Sequence, residues 1–374
     1  MAWRTVHLED QRTSRPICRL EWRRTAIAAL MTKSQGLIVR VSPYEIHIIT
    51  SSFYEELYTS ATQKRNKYEW FTKQFATPLV AFGTVDHNLH RIRRGAINPF
   101  FSKASVRRLQ PVIQEKIKKL ISRVDGFGES GEVLNVHLAY MANSSGMFWL
   151  SLPNLCWWVG DVICEYSFGR NYGRLDQEDF DLTYARAMRD GTGASHFNTQ
   201  IFWPFKMLLE LPLWLSAKIA PEAHGYISFI NDCAIQVKAI KEGKNDKSGT
   251  TLFHHLMESD AITDNEKGED RLVQEAQVVV SAGTETTAWA MSVTFHLLSN
   301  PEILRKLRAG LECAITDPRE LPSLASLEQL PYLTACIKEA LRFSYGLASR
   351  LARISPDKPM VLTMGRRIGW FLWG

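Results

Sequence analysis

The stretch RLVQEAQVVVSAGTETTAWAMSVTFHLLSN, residues 271–300, repeats apolar side chains at helical spacing, and no proline interrupts it before Pro301. It predicts one helix of more than seven turns, about 40 Å long at ~1.5 Å per residue, enough to cross a whole domain. At its centre lies AGTETT, residues 282–287. A mid-helix glycine costs roughly 1 kcal/mol against alanine, and four polar side chains follow it in a mostly apolar segment. Gly283 leaves room for another body to approach closely. Thr286 and Thr287 can turn their hydroxyls onto carbonyls one turn earlier, which loosens a helix, and Glu285 puts a carboxylate beside them. Two readings stand: a cavity wall suited to passing protons, or a core helix with a threonine-rich wet edge.

Downstream, Pro301 leads an amphipathic helix, EILRKLRAGLECAI, and Pro331 leads a second, YLTACIKEALRFSYG. In the second, Glu339 and Arg342 are three apart on one face and are expected to pair, and Cys336 is expected in the core. The last segment, SRLARISPDKPMVLTMGRRIGWFLWG, starts like a strand and is expected to end without a turn or cap, leaving its tryptophans unpacked.

Upstream, residues 17–31 read as an amphipathic helix, and LIVRVSPYEIHII as two short strands turned at Ser42-Pro43. In GTVDHNLHRIRRGAINPFFSKASVRRL, His87, His90 and Arg94 share a helix face, flanked by Arg91 and Arg93. So many positive groups require an anion or solvent, so the segment is either a solvated basic helix or a clamp for carboxylates or phosphates. A helix over residues 105–123 is expected to end at Asp125-Gly126. Gly146, Pro153 and Gly160 are expected to break the Trp-rich run over residues 141–160, which interrupts a helix like an unremoved intron. Residues 201–219, with Pro204 and Pro212, read as a lid or membrane-contacting segment. Residues 241–249 and 259–270 read as polar loops.

The 374 residues suffice for two average domains or one large one, and 45% hydrophobic with 22% charged residues is ordinary for a globular protein. The net charge of +6 comes mostly from the first 40 residues, which carry eight basic and three acidic side chains. That face suits an anionic surface or plain solvation, while the absence of zinc-finger and RNA-binding signatures argues against nucleic acid. Six cysteines without Cys-x-x-Cys spacing fit a reducing compartment. No signal, anchor or membrane-length apolar run is legible. A Gly-x-Ser-x-Gly elbow, a His-Glu-x-x-His zinc site and a phosphate-binding glycine loop are also missing, which argues against a hydrolase.

AGTETT over residues 282–287, KEALR over 338–342, SNPEILRKL over 299–307, ARISPDKP over 352–359 and NPFFS over 98–102 occur in an order that resembles the cytochrome P450 haem-thiolate monooxygenases, in particular the fungal enzymes of secondary metabolism. The resemblance implies a mainly α protein with a small β-sheet region, an incomplete cytochrome P450 fold organised around the long central helix. It divides the chain into a basic helical segment over residues 1–35, a partial family domain over 36–360 with the insert-like 141–160, and an aberrant tail over 361–374. It implies that Thr286 positions water and a proton, with Glu285 in the relay. Gly283 would lie against a haem whose propionates face His90, Arg94 and Arg353, and Glu339 and Arg342 would hold the core nearby. His90 falls where the family usually has tryptophan.

The expected chemistry is hydroxylation or epoxidation of a small apolar secondary metabolite of terpenoid or polyketide type. It uses dioxygen and electrons from NADPH-cytochrome P450 reductase, with the haem supplying the reactivity. The family's cysteine-bearing haem loop has no counterpart in this sequence, so no metal ligand is assigned. A chain of this composition is expected to be inactive as it stands. The family usually resides at the endoplasmic reticulum membrane. Without an anchor, a cytoplasmic or peripheral location is expected here. The alternative is a non-enzymatic truncated helical relic or interaction protein that binds through Trp-rich patches.

Overall fold

The computed structural model describes residues 38–59, 63–130, 153–176, 184, 187, 191, 195–201, 203–244, 251–315, 317, 320, 322–344, 351–364 and 367–370. The helix expected over residues 17–31, the first part of the insert-like run and the last four residues of the tail lie outside them.

The first described elements are the strands β1 (Ile38–Ser42) and β2 (Glu45–Ile48), an antiparallel hairpin with a register shift between Arg40 and Ser42. Ser42 Oγ accepts from the Tyr44 amide at 3.2 Å and helps close the turn. Next come α1 (Ser52–Leu57), β3 (Asn66–Lys67), α2 (Glu69–Thr72), α3 (His87–Ile97), α4 (Lys103–Arg108) and α5 (Gln110–Ser130). The middle of the chain supplies α6 (Pro153–Phe168), α7 (Ser195–Gln200), α8 (Trp203–Glu210), α9 (Leu213–Ile219), α10 (Pro221–Lys241) and α11 (Leu252–Glu258). The long helix is α12 (Glu269–Leu298), followed by α13 (Pro301–Ala314), α14 (Leu324–Glu328), α15 (Pro331–Phe343), β4 (Arg353–Ile354), β5 (Val361–Met364) and β6 (Arg367–Trp370). Strands β3 and β4 pair antiparallel, as do β5 and β6, so the sheet content of the described residues is three two-stranded ribbons. The architecture is mainly helical with minor β content.

Helix α12 organises the interior. Leu272, Ala276, Val279 and Val280 recur on one face and are buried against Cys164 and Phe168 of α6, Phe229, Cys233 and Val237 of α10, and Leu252, Phe253 and Leu256 of α11. The helix starts two residues earlier and ends two residues earlier than its apolar pattern suggests. Gly268 precedes it in an extended conformation, and Ser299 closes it with backbone bonds to the last turn. Pro301 and Pro331 occupy first-turn positions, where a missing N–H costs nothing. Asn300 caps α13 by accepting from the Glu302 and Ile303 amides at 3.0 and 3.4 Å.

Two sequence expectations change. Helix α6 runs unbroken through Gly160 from Pro153, because the proline occupies the start of the helix and the glycine serves a close crossing: a Cβ there would be 3.2 Å from the Tyr184 ring. Helix α5 continues past Gly126 to Ser130, since one glycine costs too little to end a 21-residue helix packed on α6. In the tail, Val361 pairs with Trp370 and Met364 with Arg367 in the β5–β6 hairpin, and the uncapped end expected after Trp370 lies outside the described residues.

Candidate functional site

A basic cleft lies where α3 meets the β3–β4 ribbon. Its volume is about 310 Å³, and its lining includes Tyr58, Arg65, Lys67, His87, His90, Arg91 and Arg353, with no acidic side chain. Asp86 starts α3 by accepting from the Leu89 amide at 2.8 Å. The β3–β4 pairing sets Lys67 directly opposite Arg353, and the carbonyls of Ala81 and Phe82 hold the Lys67 ammonium at 2.7 and 2.6 Å. Burial, reinforced by Arg353, lowers the Lys67 pKa to about 8, with Glu275 pulling the other way. Burial also lowers the His90 pKa to about 4, reinforced by Lys67, Arg353, His87 and Arg94. His90 is therefore neutral at ordinary pH and offers one ring donor and one acceptor. The chemistry of this lining suits an anion with several oxygens.

Of the expected propionate-facing residues, His90 and Arg353 line the cleft together, whereas Arg94 does not and lies over the Phe101 ring at 5.7 Å. Arg65 is held by Glu56 at 3.0 Å. Lys67, Arg65 and Arg91 also belong to the lining. Sequence reading missed Lys67, since a two-residue strand in RNKYEW leaves no periodic signal.

In the central helix, Thr286 Oγ1 donates to the Ala282 carbonyl at 2.8 Å and the residue is exposed, as are Ala282 and Thr287. The neighbouring Thr284 points the other way. It is fully buried, donates to the Val280 carbonyl at 2.7 Å and contacts Tyr184. Glu285 is half-buried on the side of α10, where its charge and, more strongly, burial push the Tyr226 phenol well above its ordinary value. Gln277 donates to that phenol at 2.9 Å. The close approach at Gly283 is made by Ile163 of α6: a Cβ on Gly283 would meet Ile163 Cγ1 at 3.1 Å.

Glu339 and Arg342 pair as the spacing suggests, with two bonds of 2.8 and 2.6 Å, and both side chains are substantially exposed. The bonded guanidinium lowers the Glu339 pKa. Cys336 is buried as expected, and none of the described cysteines lines the cleft. Among the described residues no group of three or more His, Cys, Asp or Glu side chains is placed to hold a metal ion, and no helix is long and apolar enough to cross a membrane.

A second ionic assembly joins α3 to the start of α12. Arg93, on the helix that carries His90, donates to both oxygens of Glu266 at 2.7 and 2.9 Å and to Thr84 Oγ1 at 2.8 Å. Arg271 meets Glu266 at 3.0 Å and Glu275 at 3.3 Å. Glu275 is nearly inaccessible and accepts from the Ala81 backbone. Its pKa is raised by burial against the opposing pull of Arg271. Glu266 looked like one charge in a solvent loop, because its partner is 173 residues away.

The described residues form a mainly helical body built on one long strut, with a basic cleft beside it and a threonine-rich stretch at the centre of the strut. The family model for cytochrome P450 matches residues 32–362, and the chain belongs to that family. It is 38% identical over 334 residues to cytochrome P450 monooxygenase tpcC of Cochliobolus heterostrophus, covering 88% of this chain and 61% of that protein. It is 36% identical to cytochrome P450 monooxygenase MO6277 of Ascocoryne sarcoides, covering 91% and 65%. To tryptophan 6-hydroxylase fscE of Fusarium equiseti it is 35% identical, covering 89% and 63%. The chain thus spans less than two thirds of the length of these relatives.

Proposed function

We propose that this chain belongs to a monooxygenase that places one oxygen atom of dioxygen on a small apolar secondary metabolite. The observation that carries the reading is the acid-free basic cleft. Haem presents two carboxylates at one edge, and Lys67, His90, Arg91 and Arg353 form a donor set that fits them. The described residues therefore fit the carboxylate end of the group and supply no cysteine at the cleft. When bound, haem supplies the oxygen activation.

The chain's own residues supply binding, orientation and protons. Lys67 and Arg353 bind and orient the carboxylates, and neutral His90 adds a hydrogen bond without adding repulsion. Thr286 holds a proton at Oγ1 on the exposed face of α12, and Glu285 would resupply it as a protonated carboxyl after taking a proton from solvent. Glu339 and Arg342 brace each other on the exposed face of the last turn of α15. Terpenoid or polyketide substrates remain within this reading, and the relative named a tryptophan 6-hydroxylase extends it to aromatic rings. The electrons come from NADPH-cytochrome P450 reductase. In a reconstituted assay with that reductase, using the chain joined to a cysteine-bearing haem loop, Thr286→Ala should divert NADPH consumption from organic product to hydrogen peroxide by tenfold or more. Unchanged partition between product and peroxide would remove Thr286 from the proposal.

A further inference from the structure

We infer that Glu266 is a positioning residue for the basic cleft: its carboxylate grips Arg93 and so sets the roll of α3 that turns His90 inward. This rests on the reading of the cleft as the carboxylate-binding end of a cofactor site.

The inward face of α3 is under mechanical conflict. Everything charged that acts on His90 is basic: Lys67 and Arg353 from the β3–β4 ribbon, and His87 and Arg94 from its own helix. Four positive or potentially positive groups around one helix face push that face away from the cleft. Helix α3 has 11 residues, and its Asp86 cap fixes only one end. Resistance to the push has to come from another side chain on the same helix. Arg93 is three residues from His90, so the two are neighbours on the helix surface and move together. Arg93 is also the α3 side chain with the firmest hold, making two bonds to Glu266 and one to the buried Thr84 hydroxyl.

Glu266 is itself anchored. It accepts the ion pair from Arg271 at 3.0 Å, its backbone carbonyl accepts from Arg271 Nη1 at 2.8 Å, and Arg271 is buried in the first turn of α12. Beyond Arg271, Glu275 bonds the Ala81 backbone, and the Ala81 carbonyl holds Lys67 at 2.7 Å. Two arginines and two glutamates therefore tie both walls of the cleft to the helix that carries Thr286. Removing the Glu266 charge leaves Arg93 and Arg271, both buried, sharing what remains, and they repel each other. A roll of only about 30° at a side-chain radius of about 5–6 Å moves an imidazole by about 3 Å, the length of a hydrogen bond.

The test follows the His90 ring by NMR titration of the full chain, with its signal identified by its loss in His90→Gln. In Glu266→Gln the His90 pKa should rise about two units toward that of a solvated histidine, a hundredfold gain in proton affinity. Asp264→Asn, in the same turn but at a fully exposed side chain, should leave it in place. If Glu266→Gln does not fold, Glu266→Asp retains the charge on a shorter stem and should still raise the His90 pKa by about half a unit or more. A His90 pKa that stays at the wild-type value in a folded Glu266→Gln or Glu266→Asp chain overturns the inference. The reading of the cleft fails separately, if wild-type chain binds hemin and its dimethyl ester equally.

Discussion

Replacing His90 by glutamine should remove a defined part of the protein's acid sensitivity. The folded pKa of His90 is about 4, below its ordinary 6.5, because burial and the charges of Lys67, Arg353, His87 and Arg94 all disfavour the imidazolium. The unfolded chain therefore takes up a proton that the folded chain refuses between pH 6.5 and 4. Stability that is fully present above pH 6.5 is lost as the pH falls through that window. Two and a half units at about 1.36 kcal/mol each would give a ceiling of about 3.4 kcal/mol. His90 is only half-buried, so solvent screening reduces the expected loss to about 1–2 kcal/mol. Glutamine keeps a donor and an acceptor without titrating, so it isolates this group from the carboxylates that titrate in the same range. Urea unfolding at pH 7, 5.5 and 4.5 should show the wild type losing about 1–2 kcal/mol more than His90→Gln. Parallel curves for the two proteins would refute the burial and charge argument for the cleft.

Other consequences concern the strut and its crossings. Leu272 of α12 is fully buried in the hydrophobic core, so Leu272→Ala should cost about 2–5 kcal/mol in urea unfolding, and a cost under about 1 kcal/mol would show that the helix does not pack as described. Gly160→Ala gains about 1 kcal/mol of helix propensity but sets a Cβ 3.2 Å from the buried Tyr184 ring, so it should destabilise the protein by up to about 2 kcal/mol in thermal melts. Clear stabilisation by that change would mean that the Tyr184 ring is not closely apposed to α6 there.

Much of the architecture was legible from periodicity and punctuation. The long helix, the proline-led helices after it and the β1–β2 hairpin all announce themselves through local patterns, and the structure displaces their ends by no more than three residues. The failures share a cause. Gly126 and Gly160 look like breaks when read locally, but tertiary packing overrides a penalty of about 1 kcal/mol. The role of a glycine at a crossing depends on which helix lies across it, and Ile163 opposite Gly283 cannot be read from AGTETT. The basic face of α3 was visible, but its division was not. His90 and Arg91 turn to the cleft while Arg93 turns to Glu266, and that separation depends on a residue far along the chain. Lys67 was hidden for a similar reason, since a two-residue strand gains its place only by pairing with Arg353.

A comparison of hemin with its dimethyl ester tests the cleft's chemistry directly. Both present the same macrocycle, but only hemin offers carboxylates to Lys67 and Arg353. At about 1.5–3 kcal/mol for each charge-assisted hydrogen bond, hemin should bind the full chain about a hundredfold more tightly than the ester. Lys67→Gln should weaken hemin binding by about tenfold and leave the ester unaffected. Equal affinity for the two ligands, or equal weakening of both by Lys67→Gln, would contradict the assignment of the cleft.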